Sequence, residues 1–333
     1  MRVIIKGLVV LAALAALTAC EGQGEVAGPA ADDSRALPQT RPSGTPAVNA
    51  TWTSCETDAP MTVGEPPSDA LILPLLGTGF AATVAVHCQL EPKRRADQGE
   101  DLVLSEGRTT DLTSLLAALR LPDETAVPDM CPLAMPWVPN LLLLDAQGRW
   151  VRPGLPTTGC GKVRAEAETA VRALRLTTVS EKVVREITSS GAAISGCNQD
   201  WKDMVAIGTG DPGSRVRPGP VSLPFESTTP LRLCVFGVPV SRQGAPDVFG
   251  TFEYGLLLPE QRREDVVRTL LSMPPARECS GAADRFAVLR AGNNSGGEVY
   301  VELDHCRRIL TTPLSGPSLL AQADDTLVEL LVE

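Results

Sequence analysis

Hydrophobic positions divide this chain into stretches of three kinds. Val3 to Ala19 is a run of apolar or small residues behind a short basic start, Arg2 and Lys6, with Gly7 and Thr18 as the other exceptions. From Glu21 to about Ala50 large apolar residues thin out to Val26, Leu37 and Val48. Beyond that, apolar runs recur in two similar trains. Each begins with an extended segment, "AATVAVHC" in the first and "TTPLRLCVFGV" in the second. A helix is expected next in each train. In the first, Asp111 is placed to cap a turn carrying Leu112, Leu115, Leu116 and Leu119, the spacing of one buried helical face. In the second, Pro259 stands at a first helical position ahead of Val266, Val267, Leu270 and Leu271. Two strands about a turn follow. They are "NLLLLDAQGRWVRPG", turning at Gln147 and Gly148, and "RFAVLRAGNNSGGEVYVELDHC", turning at "NNSGG". Final helices are expected over Ala165–Leu176 and Pro317–Gln322.

The first apolar run is a secretory signal and is short for a spanning helix. It ends in Leu17, Thr18, Ala19 and Cys20, an order that resembles the bacterial lipoprotein signal. The resemblance implies cleavage behind Ala19 and a diacylglyceryl thioether on Cys20, with acyl chains anchoring the protein at about 0.8 kcal/mol per buried methylene. The expected location is therefore the extracytoplasmic face of the cell membrane. Residues 20–50 then read as a flexible tether, too poor in large apolar groups to offset ordering entropy and spanning on the order of 30 Å.

Apart from Cys20 the cysteines fall at 55, 88, 131 and 160, then at 197, 234, 279 and 306. Matching the two sets gives offsets of 142, 146, 148 and 146 residues, which points to an internal duplication. The modules are placed at 51–188 and 189–333, with the small-residue stretch "TSSGAAISG" as the linker between them. Strands flanking helices without regular βαβ alternation indicate an α+β fold, each module an antiparallel sheet with one or two packed helices and two disulfides. Export and the even count favour bridges over thiols, and two isolated sets of four leave three pairings each. The expected pairs are Cys131 with Cys160 and Cys279 with Cys306, tying the start of a hairpin to its end. Cys55 with Cys88 and Cys197 with Cys234 remain.

Charge changes the picture in one respect. The net charge is −10 and becomes −12 once residues 1–19 are removed, and the lysines are only Lys6, Lys93, Lys162, Lys182 and Lys202. Such a chain is not built to neutralise nucleic-acid phosphates. Its two histidines, His87 and His305, each adjoin a cysteine but occupy different places in the repeat, so neither a Cys/His catalytic pair nor a metal site is indicated. Glycine-rich "GTGDPG" runs into prolines and reads as a loop, not a phosphate cradle. No nucleophile elbow or dinucleotide fingerprint occurs, and no cofactor is implied. Carboxylates are many, yet nothing singles out a hydrolase pair. Trp52 and Trp201, close to Cys55 and Cys197, are expected to pack on the bridges, and "EPKRRADQGED" reads as a solvated loop.

The segments "HCQL", "LCVFG", "MCPL", "TGCGKV" and "DHCRRI" around the cysteines resemble those of secreted and lipid-anchored actinobacterial proteins with a four-cysteine module and no established function. The "MCP" segment, with a strand pair and a cysteine about thirty residues later, is also similar to the Streptomyces subtilisin inhibitor family. That similarity implies an inhibitory loop of Met130, Cys131, Pro132, Leu133 and Ala134, with Leu133 entering the protease pocket. Module two departs from it, reading "ECSGA" without the proline. The sequence thus points to a non-enzymatic binding protein held at the membrane by lipid on Cys20 and facing an unknown extracytoplasmic protein or ligand. Inhibition through Leu133, or an unmarked hydrolase, are the alternatives.

Overall fold

The computed structural model describes residues 41–63, 68–211, 213–243, 248–293, 295–312 and 317–332, so the leader, Ala19 and Cys20 lie outside the described residues. The first half contains β1 (Asn49–Thr51), α1 (Cys55–Asp58), β2 (Val84–Arg94), β3 (Glu100–Thr109), α2 (Thr113–Leu119), β4 (Asn140–Leu144), β5 (Arg149–Val151), α3 (Ala165–Arg172) and β6 (Thr177–Thr188). The second contains α4 (Ser190–Ser195), β7 (Asp200–Lys202), α5 (Met204–Gly210), β8 (Arg217–Pro218), β9 (Leu231–Gly237), β10 (Phe249–Leu257), α6 (Glu260–Ser272), β11 (Arg285–Ala291), β12 (Glu298–Glu302), β13 (Arg308–Thr312), β14 (Leu319–Gln322) and α7 (Asp325–Val332).

These elements form an α+β fold with two sheets. One has the order β1-β5-β4-β2-β3-β6 and is antiparallel throughout. The other has the order β7-β10-β9-β11-β12-β13-β14-β8 and is antiparallel except where β14 meets β8. The block β5-β4-β2-β3 recurs as β12-β11-β9-β10, with α2 or α6 inserted between its second and third strands in chain order. Both sheets are covered on both faces, which explains why "NLLLL" and "LRLCVF" show little polar alternation. In the first sheet Ala85, Leu141, Leu143 and Val151 pack on α2 and α3, while Val86, Cys88, Leu142 and Leu144 pack on Trp52 and Cys55. In the second, Leu231, Leu233, Val235, Ala287 and Leu289 pack on α6 and α7, and Cys234, Phe236, Phe286 and Val288 meet Cys197 and Trp201. Disulfides join Cys55 to Cys88, Cys131 to Cys160, Cys197 to Cys234 and Cys279 to Cys306. Each closes within its own set of four, where a bridge contributes about 3 to 4 kcal/mol in the chain-entropy model.

Several local expectations change. Asp111 does not cap α2: Leu112 holds the cap position, without a side-chain cap bond. Leu271 points outward, 54% exposed, while Val266, Val267 and Leu270 are buried. The stretch expected as a linker contains α4, because Ser189 caps the Ala192 amide and Gly196, at φ +71°, closes the other end. Pro317–Gln322 is not helical: Leu319–Gln322 pairs with β13, and the helix lies further on as α7, whose first turn Asp324 caps through the Leu327 amide (2.9 Å). Short apolar runs carry no period long enough to separate the two forms. The charged run after Leu90, expected as a loop, is strand over residues 91–94 and 100–101, with only 95–99 forming the tip of the β2–β3 hairpin, where Arg95 pairs with Asp97, Asp101 and Glu186. Gly208–Gly210 form the last turn of α5.

The tether boundary moves as well. Arg41 donates to the Leu73 and Leu155 carbonyls and forks onto Asp123 (2.8 and 3.0 Å), so the chain is docked from residue 41 and not from 51. At the far edge β6 is exposed along most of its length, and its pairing with β3 breaks register at three places. Bulges and the charges of Glu181, Lys182, Arg185 and Glu186 make this a guarded edge, a poor template for another strand.

Candidate functional site

The feature that stands out from this framework is the connection between α2 and β4. It takes 20 residues, 120–139, where the corresponding connection between α6 and β11 takes 12, 273–284. Long connections without secondary structure of their own are uncommon inside compact domains and are often functional. Pro122, Pro128, Pro132, Pro136 and Pro139 withhold amide donors through the segment, so it joins neither helix nor sheet.

It is nevertheless held firmly. Asp123 at its base takes Arg41, the Thr157 amide (2.7 Å) and the Thr157 hydroxyl (3.0 Å). Burial alone would raise the Asp123 carboxyl, but these donors hold it below its usual value. Arg164 binds the Pro122 carbonyl (2.9 Å) and the Glu124 amide binds the Thr157 carbonyl (2.8 Å). Gly159 lies so close to the Ala126 backbone that a Cβ there would stand 1.9 Å from its carbonyl oxygen. Cys131 is bridged to Cys160, which sits in a turn closed by Gly161 at φ +70°. At the exit Trp137 carries the Arg172 guanidinium 4.4 Å over its ring, and Val138 enters the core.

Between these anchors the side chains face water. Met130, Leu133 and Met135 are 85%, 103% and 78% exposed, three of the four most exposed large apolar side chains among the described residues. Leaving a leucine unburied forgoes about 1.5 to 3 kcal/mol. The charges of residues 122–138 are Asp123, Glu124 and Asp129, all acidic. The equivalent connection in module two carries Arg277, Glu278 and Ser280, buries Met273, and is stitched to β14 through the Ala276 amide. The apolar display is therefore not something the repeated fold requires.

The other candidates are dispersed. His87 is buried in β2, and burial pushes its pKa down to about 4. His305 is exposed in the turn after β12, where its bond to Asp284 (3.2 Å) raises it. Among the described residues no group of three or more His, Cys, Asp and Glu side chains could hold a metal ion. Trp52 and Trp201 do pack beside the bridges at Cys55 and Cys197. A shallow cavity of about 360 Å³ is lined by Asn49, Asp58, Asp69, Trp150 and Arg152 among others. Both of its carboxylates already serve the fold, Asp69 paired with Arg152 (3.1 Å) and Asp58 accepting the Thr53 amide (2.6 Å). No family model, curated protein or solved structure matches the chain.

The bracing of the loop gives an expected order of reduction. Thiol attack needs access to a bridge sulfur. Cys131 is exposed, while Cys55, Cys88, Cys197 and Cys234 are all buried. Mild dithiothreitol is expected to open Cys131–Cys160 well before Cys55–Cys88 or Cys197–Cys234, as followed by timed alkylation and peptide mass spectrometry; the reverse order would refute the exposure argument.

Proposed function

We propose that the protein is a non-enzymatic, lipid-anchored extracytoplasmic binding protein that presents the 124–135 loop to a protein partner. The observation that carries this reading is a braced loop with four exposed large apolar side chains, Val127, Met130, Leu133 and Met135, absent from the sister module. Asp123 and Glu124 are already paired with Arg41 and Arg164, and Asp129 beside Met130 fits an apolar pocket with a cationic rim and disfavours an anionic lipid surface. Cleavage behind Ala19 and lipid on Cys20 supply the membrane attachment, and the segment before Arg41 sets the distance from it. No nucleic acid and no cofactor enter this role. The duplication supplies two modules, of which the first makes the contact.

The test is crosslinking of the tagged full chain on intact cells. Leu133→Asp is expected to lower partner capture about ten-fold or more, since a charge replaces the most exposed anchor, while Leu133→Met preserves it. Equal capture by Leu133→Asp and wild type would overturn the proposal. Failure of labelled fatty acid to enter the wild type, with no difference from Cys20→Ala, would remove the lipid anchor from it. A second reading, inhibition of a subtilisin-like protease, is favoured by the position of Leu133, wholly exposed two residues beyond a bridged cysteine. Unchanged subtilisin activity under a molar excess of the protein disposes of that reading alone.

A further inference from the structure

We infer that Met130 and Met135 form a modification site, at which sulfoxidation by a hydroperoxide converts the loop from an apolar to a polar surface and switches its contact off. The inference rests on the loop being the contact surface proposed above. Three observations carry it.

The first is selective exposure. Met130 and Met135 are almost fully exposed, Met61 and Met204 are half-buried, and Met273 is buried at 6% exposure. Thioether oxidation needs approach of the oxidant to sulfur, so the two loop methionines are the accessible ones among the described residues. The second is the lack of a competing sink. All eight cysteines among the described residues are bridged, and the four tryptophans are buried or half-buried. The third is position. The two methionines flank Leu133, three residues before it and two after, and no aromatic side chain lies among residues 124–135. With Leu133 they are the most exposed apolar side chains of residues 124–135, ahead of Val127 at 57%, so oxidising both removes two of its four exposed large apolar groups.

The chemistry balances without a cofactor. A sulfur lone pair attacks the terminal peroxide oxygen, the S–O bond forms as the O–O bond breaks, and water leaves when the oxidant is hydrogen peroxide. Sulfur is oxidised by two electrons and the peroxide is reduced. The sulfoxide is polar and a good hydrogen-bond acceptor, a change known to disrupt methionine-rich contacts and reversible by methionine sulfoxide reductases. The module-two connection, whose methionine is buried, does not respond.

The experiment exposes the full-length protein in its membrane to hydrogen peroxide. It reads oxygen uptake at each methionine by peptide mass spectrometry, and apolar surface by photoincorporation of bis-ANS into the tryptic peptide spanning residues 121–149. Met130 and Met135 are expected to oxidise about ten-fold faster than Met273 or more. The dye incorporated in that peptide is expected to fall several-fold in the wild type and to persist in Met130→Leu/Met135→Leu after the same treatment. Equal oxidation rates, or undiminished labelling after complete sulfoxidation, overturn the inference. Unoxidised Leu133→Asp separates the two claims. If it loses the label while sulfoxidation of the wild type does not lower it, the contact surface stands and the switch falls. If it keeps the full label, the contact surface itself fails and takes this inference with it.

Discussion

Replacing Arg308 by alanine is expected to destabilise the protein by about 3 to 5 kcal/mol, the usual consequence of leaving a buried charge without its partner. Glu302 is fully buried, and its carboxylate accepts the Arg308 amide (2.9 Å), Nε (2.8 Å) and Nη2 (2.6 Å). The same guanidinium reaches the Gly281 carbonyl (2.7 Å) and the Thr209 hydroxyl (3.1 Å). One side chain therefore ties together the turn carrying Cys306, the connection carrying Cys279 and the end of α5. Urea denaturation checks the expectation. The double variant Glu302→Leu/Arg308→Met is expected to recover much of the loss, because it removes both charges and keeps the volume. A single variant within 1 kcal/mol of wild type, on the order of a surface substitution, would show that water already reaches Glu302.

Acidification is expected to act on the two modules with opposite signs. Burial raises the Asp203 carboxyl to about 6, with the charge of Glu302 adding to it against the amides of Ala206 and Val205 and the charge of Arg308. A carboxyl whose folded pKa is raised contributes stability that is present below its unfolded value and is lost as pH climbs through about 6. His87 behaves in reverse: lowered to about 4 by burial, it contributes stability present above its unfolded value and lost as pH falls through about 4. Each amounts to roughly 3 kcal/mol at 1.36 kcal/mol per unit, and across the window between pH 4 and 6 the two partly cancel. Asp203→Asn keeps an oxygen to cap the Val205 and Ala206 amides. It is therefore expected to be more stable than wild type at pH 7 and to lose stability steeply on acidification. His87→Leu is expected to gain stability over the same window. Denaturant midpoints at pH 4.5 and pH 7 read both slopes, and parallel curves for the two variants would refute the assignment.

The cysteine offsets, the runs "AATVAVHC" and "NLLLL" and the hairpin at Gln147–Gly148 make the repeated strand–helix–strand arrangement readable in the chain itself. Disulfide positions and doubly buried strands leave a local mark in the sequence, through residue type and the absence of polar alternation. Leu133 could be singled out from "MCPL", and Met130 and Met135 were visible as apolar residues in a proline-rich run. Their exposure was not, since an apolar residue in a loop reads the same whether it packs or not. Asp203 and the Glu302–Arg308 pair have no such mark, because a single Asp, Glu or Arg carries no sign of the residues that will enclose it.

By itself, then, the sequence determined the α+β class, the doubled set of four cysteines and the strands that lie at the centre of each sheet. These follow from periodicity and covalent chemistry within a few residues of one another. Only the tertiary structure decided where the sheets end, that Arg41 is pinned to Asp123 across 82 positions of chain, and that one connection of the pair is braced and bare. Those outcomes depend on contacts between segments far apart in sequence, and such contacts leave no period in a linear pattern.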